Sequence, residues 1–351
     1  MNFLDATAQY EIWLHKQLNL IDSEVMKKHE LMRSDLFPFF RATYYRWAQL
    51  WPEVCKDQKS APVALAVGDL HVENFGTWRD LEGRLIWGIN DFDEVWPIPY
   101  TNDLVRLAAS AQISGMALKH AVAPILDGYR AALAAGGRPV VLAEKNLDLR
   151  EMAVERLKDP GKFWAKLDAL TTWKGKIPKL IRGAMVRELP DPETEVRIVH
   201  RIAGLGSLGR ERFVALAHCY GGLVAREAKA LAPSACAWAE GRKRPPGALY
   251  QKLLNRAVRC PDPCVHVRDQ WIIRRLAPDC SRIELCDLPK VRDEERLLYY
   301  MGWETANIHL GSVKSKALLA DLKKRKPKWL GKSAGAMVKA TQADWKEWRK
   351  G

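Results

Sequence analysis

Between residues 68 and 96 the chain reads GDLHVENFGTWRDLEGRLIWGINDFDEVW, placing seven carboxylates, two asparagines and a histidine among residues that otherwise alternate like strands and turns. Three of these have a spacing suited to phosphate chemistry. Asp69 is followed five residues later by Asn74, and Asp91 closes the next strand-like run. A carboxylate in the first position can accept the proton of an attacking hydroxyl. The amide oxygen and the second carboxylate are hard ligands for a magnesium ion bridged to phosphates. The intervening LEGRLIWGIN carries a hairpin turn at Glu82-Gly83, which folds Asn74 and Asp91 back onto one another. Aspartates are also common turn and cap residues, so any one of Asp69, Asp91 and Asp93 has a plain structural alternative. As a set they would repel one another without a cation between them. The acids are therefore expected to gather around a metal, with Asn74 and Asp91 as ligands and Asp93 as an auxiliary ligand or an acid just outside the metal's shell.

The elements around this stretch follow from periodicity and punctuation. Residues 1 to 60 read as helices, because AQYEIWLHKQLNLID and FFRATYYRWAQLW place apolar residues at three- and four-residue spacing. APVALAV is a short apolar run ending at Gly68, a buried strand that delivers GDLHVEN into a loop. From about 102 to 185 the pattern is helical, with an Asn-Asp start and a Gly-Gly stop in its first part. EVRIVHRIAGLGSLGRERFVALAHCYGGLVAREAKAL then reads as strand, glycine loop, strand, tight turn, strand. CVHVRDQWIIRRLAP suggests two further strands around a turn, and EERLLYYMGWETANIHL an amphipathic helix.

With 351 residues, 48% of them apolar and 28% charged, the chain is long enough for two cores, and two lobes with a cleft are expected. A formal charge of +14 favours polyanionic partners: nucleic acid, an anionic membrane surface or a phosphorylated ligand. Much of the excess follows residue 313. That segment is either a basic nucleic-acid contact or a solvated helical tail whose Trp329, Trp345 and Trp348 pack back on the protein. The seven cysteines are scattered, and Asp5 and Glu11 interrupt the N-terminal stretch where a signal peptide needs an apolar core. A reduced, cytoplasmic protein is expected, and no run reaches the roughly 18 apolar residues of a membrane span. Cys260, Cys264 and His266 in CPDPCVHV offer three soft ligands but no convincing fourth nearby, so they are read as structural.

GDLHVEN followed by INDFDE resembles the catalytic and metal-binding loops of kinase-like phosphotransferases of the aminoglycoside and choline kinase type. PIPYTNDLVRLAAS resembles the helix that follows in that group, with Asp103 in the acidic place, while Val67 stands where the group has a histidine. Nearly the whole chain is more closely similar to the bacterial family known as domain of unknown function 2252, through FFRAT, GDLHVENFG, NDFDE, AGLGSLG, KALAPS and NIHLGS. The resemblance implies ATP and Mg2+ as cofactors, Asp69 as catalytic base, and Asn74, Asp91 and Asp93 at the metal. It implies a phosphate cover formed by Gly204, Gly206, Ser207 and Gly209. A dinucleotide fold would need a helix after the glycine loop, and a P-loop would end in Gly-Lys-Ser/Thr; neither is present. A plain glycine-rich hairpin is the alternative. Lys229, five residues before Ser234, matches the family's Lys-x-x-x-Pro-Ser and would contact phosphate, with Arg226 as a rival. Between residues 228 and 261 Glu240 is the only acid, which makes it the default partner of Lys229. Arg41 matches the family's Phe-x-Arg-Gly with Ala42 in place of glycine, and His309 reads as a core histidine.

The order of the pieces is unusual. In kinases the glycine loop, the lysine strand, a helix and two strands precede the catalytic loops, whereas here they follow. The implied fold is α+β, two-lobed, protein-kinase-like and circularly permuted. A helix-rich large lobe (1–190) is followed by a small antiparallel lobe (191–290), then by a returning helix with the basic tail (291–351). Phosphoryl transfer from ATP to an unidentified acceptor is the expected activity. Nucleotidyl transfer with the same parts, and a non-catalytic pseudokinase or nucleic-acid-binding scaffold using the basic tail, are the alternatives.

Overall fold

The computed structural model describes residues 1–243, 245–282 and 291–351, so Cys286 and the expected boundary at 290 lie outside the described residues. Strands form where the sequence alternates or runs apolar between turn residues. Val63–Ala66 (β1) is joined antiparallel to a strand beyond the acid-rich stretch. Phe75–Arg79 (β2) and Leu85–Ile89 (β3) form the expected hairpin, with Gly83 at a φ of +72° in its turn. Trp96–Pro99 (β4) is the partner of β1, and Val140–Val141 (β5) extends the hairpin along β3. The larger sheet is wholly antiparallel. It contains Val196–His200 (β6), Arg212–Cys219 (β7), Gly222–Ala230 (β8), His266–Arg268 (β9) and Trp271–Leu276 (β10), in the order β6-β7-β8-β10-β9. Between β7 and β8, Tyr220 and Gly221 both take positive φ, +50° and +84°, the geometry that lets a two-residue turn match the twist of its strands.

Helices build the main core. In Thr101–Ile113 every residue from Thr101 to Ala111 is buried, which makes this helix the axis of the molecule. Val291–Leu310 lies along Leu118–Ala134. A Cβ at Gly128 would fall 1.8 Å from the Tyr299 carbonyl oxygen, so only glycine permits this approach. In the C-terminal helix Trp329–Trp348 the three tryptophans pack back on the protein, as the helical-tail reading expected. Trp329, Leu330, Ala334, Met337 and Trp348 join the main core, and the Trp345 indole donates to the Met32 carbonyl at 3.0 Å. Among the described residues no helix is long and apolar enough to cross a membrane.

Two helices that precede residue 190 also pack on the large sheet. Pro160–Asp168 and Lys179–Arg187 cover opposite faces of the large sheet, because successive strand residues alternate sides. Leu167 meets Val199, Val214 and Leu216, whereas Ile181, Ala184 and Met185 meet Ile198, Phe213 and Ala215. These helices therefore belong with the sheet. Conversely, Leu231, Ala235, Leu249 and Leu253, all beyond β8, pack in the main core.

One buried acid makes stability depend on pH. Glu304, 1% exposed on Val291–Leu310, accepts from the Asn307 amide at 2.8 Å. Burial pushes its carboxyl up from 4.5 to about 7, against the opposing pull of Arg259 and Asn307. The folded protein thus keeps a proton that the unfolded chain releases, so this contribution is full below about pH 4.5 and falls as pH rises through 7. The loss is about 1.4 kcal/mol per pH unit, on the order of 3 kcal/mol in all. Glu304→Gln should flatten the fall in melting temperature between pH 5 and 7.5, and an unchanged slope would count against the assignment.

Candidate active site

The loop that carries Asp69 is fixed from beneath. β1 ends at Ala66, and Asp103, in the first turn of Thr101–Ile113, accepts the N–H groups of Val67 at 2.7 Å and Gly68 at 3.0 Å. Gly68 sits at a φ of +82°, and a Cβ there would lie 2.3 Å from the Glu94 carbonyl oxygen. His309 stands between Asp103, 3.1 Å away, and the Tyr129 hydroxyl, 2.9 Å away, with no exposed surface. It is a core histidine that orients Asp103.

One helical turn beyond Asp103, Arg106 is fully buried and holds Asp69 through both Nε, 2.8 Å from Oδ1, and a terminal nitrogen. Its guanidinium lies over the rings of Phe40 at 4.0 Å, Trp47 at 4.8 Å and Tyr44 at 4.9 Å. Burial raises the Asp69 carboxyl above the usual carboxylate range, while Arg106 and Arg41 pull the other way. A raised carboxyl is the better proton acceptor near neutrality.

Asn74 joins the two acidic loops. Its amide nitrogen donates to the Asp69 carbonyl at 3.3 Å and the Asp91 carbonyl at 2.9 Å, and its Oδ1 accepts the Asp91 N–H at 3.0 Å. The residue expected as a ligand is thus first a clamp, although an amide oxygen keeps a second lone pair for a cation. Asp91 remains 43% exposed, whereas Asp93 is 11% exposed. Lys229, 1% exposed on β8, places its ammonium 3.0 Å from Asp91 and 2.7 Å from Asp93, and Arg210 lies 3.3 Å from Asp93. Burial would raise the Asp91 carboxyl, but Lys229, the contact with Asp93 and Arg274 hold it well below the usual range. Burial and the neighbouring Asp91 leave Asp93 raised. Both oxygens of Asp93 are engaged by cations, so it acts here as a counter-ion.

Glu240 corrects a sequence expectation. It accepts from the Trp96 indole at 3.1 Å and pairs with Arg242 at 3.3 Å, while Lys229 takes Asp91 and Asp93 as partners. Glu240 directly follows the one-turn helix Ala235–Ala239, too short to bring its side chain back to β8. In the glycine loop, Gly204, Gly206 and Ser207 line the same small cavity as Asp69, Asn74, Asp91 and Asp93. A Cβ at Gly206 would lie 3.2 Å from the Arg41 carbonyl and 3.8 Å from Asp69 Oδ2. Gly209 instead docks on the N-terminal region, its carbonyl accepting the Ile21 N–H at 2.8 Å. Arg41 pairs with Glu73, which Arg282 also approaches at 3.7 Å. Arg226 donates to the Glu188 carbonyl at 2.8 Å, on the far face of the sheet from Lys229.

Beside the acids opens a cleft of about 980 Å³, whose walls carry Arg201, Arg212, Arg259, Arg274, Arg275 and Arg282. Three of these converge on one buried carboxylate. Glu227, with no exposed surface, lies 2.5 Å from Arg201, 3.0 Å from Arg212 and 2.6 Å from Arg274. Burial opposes its ionisation, but the three guanidinium groups hold its carboxyl well below the usual range. Among the described residues no group of three or more His, Cys, Asp and Glu is placed to hold a metal ion by itself. One carboxylate and one amide oxygen nevertheless match what Mg2+ takes from a protein when phosphates and water complete its shell. The described cysteines are free thiols, and His266 lies 2.8 Å from Glu188, away from any ligand set with Cys260 and Cys264.

Sequence reasoning passed over Arg106, Glu227, Arg210 and Lys28. Arg106 had a signal, standing three residues after Asp103 on one helix face, and Glu227 had one too, two residues before Lys229 on one strand face. Arg210 and Lys28 had none.

Fold and site together define a mixed α+β protein in which two strand-end loops present carboxylates below a glycine loop. Residues 20–160 match a family described as an uncharacterized protein conserved in bacteria (DUF2252). That span contains Asp69, Asn74, Asp91 and Arg106 and ends before the glycine loop and Lys229. No curated protein and no solved structure gives a significant match.

Proposed function

We propose that the protein is a kinase-like phosphotransferase that uses ATP with Mg2+, its small-lobe elements following the catalytic loops in sequence. The carrying observation is the Asn74 clamp, which sets Asp69 and Asp91 side by side with the Lys229 ammonium on Asp91. Further support comes from element order: a glycine loop between β6 and β7, Lys229 on the third strand, short helices, then β9 and β10. Asn74 and Asp91 would hold the Mg2+, which supplies charge to steady a phosphoryl group in transfer. Asp69 would accept the acceptor's proton, and Arg106 would hold it in place for that task. Lys229 and the backbone of Gly204, Gly206 and Ser207 would contact phosphates, and the large cationic cleft has room for the rest of the nucleotide.

Thermal melting of the wild type and Asp91→Asn with ATP, with magnesium and with both tests this. A ligand that binds only the folded state stabilises it by about 2.7 kcal/mol at a hundredfold excess over its Kd. A rise that needs both ligands and Asp91 is expected. No response in either protein, confirmed by a binding titration, would remove the phosphotransfer assignment. Nucleotide labelled at the α or γ position then separates nucleotidyl from phosphoryl transfer by product.

A further inference from the structure

The helix Asp22–Ser34 turns an unusual face inward. Its buried residues are Glu24, Lys28 and Met32, spaced four apart on one stripe where an apolar row is normal. Glu24 has partners in His200 and the Gly209 N–H. Lys28 has none: it is 6% exposed, and among the described residues its side chain makes no hydrogen bond and no ion pair. Its side chain lines the small cavity that also holds Asp69, Gly206, Ser207 and Arg210.

Charge matching makes Lys28 the surplus cation of that cavity. Five carboxylates around it face six cations: Arg106 takes Asp69, Arg41 and Arg282 take Glu73, Lys229 takes Asp91 and Asp93, and Arg210 lies between Asp93 and Glu94, so that among the described residues Lys28 is the cation left without an ion pair. Two more donors face no acceptor, since Nε of Arg41 and Nε of Arg210 are buried without a hydrogen-bond partner among the described residues. A largely buried ammonium without a counter-ion is a poorly satisfied group that a bound anion would complete. Consistent with this, burial lowers Lys28 to about 8, with Glu11, Arg210, Glu94 and Asp69 as the charges that act on it. The cavity, about 70 Å³, has room for a few water molecules or one small group and not for a nucleotide.

We propose that Lys28, with Arg41 and Arg210, forms an anion subsite beside Asp69 that takes a phosphate-sized group. The cavity and its unpartnered donors carry the subsite; only its two sources rest on the phosphotransfer reading. The group belongs either to the acceptor or to the end of the nucleotide's phosphate chain. In both cases it sits next to Asp69, where a hydroxyl would lose its proton.

The test titrates inorganic phosphate into the full-length wild type, Lys28→Met and Lys28→Gln, with calorimetric binding and melting temperature as readouts. Wild type should bind phosphate, and each variant should bind it about tenfold to a hundredfold more weakly. Without phosphate the variants should melt no lower than wild type, because an unpaired buried charge has been removed. The variants also control for the general stabilisation that phosphate salts give any protein. No phosphate binding by wild type, or equal binding by wild type and both variants, would overturn the subsite. Repeating the titration with Mg-ATP present separates the sources: undiminished phosphate binding assigns the group to the acceptor, and displacement assigns it to the nucleotide. Lys28-dependent phosphate binding without any response to Mg-ATP would leave the subsite standing and sink the phosphotransfer reading alone.

Discussion

Replacing Glu227 by alanine is expected to destabilise the protein by about 3–5 kcal/mol, the scale on which removing one partner of a buried ion pair acts. Glu227 has no exposed surface, and Arg201, Arg212 and Arg274 all point at it. Without it, three like charges face one another, Arg201 just past β6, Arg212 on β7 and Arg274 on β10, with Arg212 itself only 3% exposed. Glu227→Gln keeps the shape but removes the charge, so it should lie between wild type and alanine. Because the carboxyl is held below its usual range, its stabilisation is present at neutral pH and disappears as pH falls through its folded value. Melting curves or urea titration check this, and a Glu227→Ala protein as stable as wild type would show that the arginines find other partners. In the same cluster one carboxylate serves three guanidinium groups, which leaves the cleft wall with a surplus of positive charge.

If the proposed phosphotransfer holds, Asp69→Asn is expected to reduce magnesium-dependent nucleotide turnover by about 10²–10⁴-fold, the range attributed to a positioned general base. The amide preserves an acceptor for Arg106, so the aromatic-lined pocket around that guanidinium keeps its shape. The wholly buried Arg106 loses its counter-charge in this variant, which costs stability as well, so turnover is compared on the folded protein, in which nucleotide binding should persist. This separates Asp69 from Asp91, whose replacement should abolish the joint ATP and magnesium response itself. Turnover undiminished in a folded Asp69→Asn protein would remove Asp69 from the proton transfer.

Local features were readable directly from the chain. The β2-β3 hairpin, the run of β6, β7 and β8 with its glycine loop, and the long helices all follow from periodicity and turn residues, which act over a few positions. Asp69, Asn74 and Asp91 stood out because one hairpin joins them. Even there the chemistry of Asn74 was only half visible, since its hydrogen bonds to both loops depend on how the strand ends meet. Glu240 stood out for being the lone acid in its stretch, yet proximity in sequence did not bring it to Lys229.

By itself the sequence determined which segments form strands and helices, where the glycines must turn, and which acids cluster. Only the tertiary structure decided how those acids are balanced, because the matching cations arrive from far along the chain. Lys229 reaches Asp91 across 138 residues, Arg106 reaches Asp69 across 37, and Lys28 comes to the same cavity on an N-terminal helix. Charge attraction acts through space and carries no signature of sequence distance, so a surplus cation such as Lys28 becomes visible only once every partner has been placed.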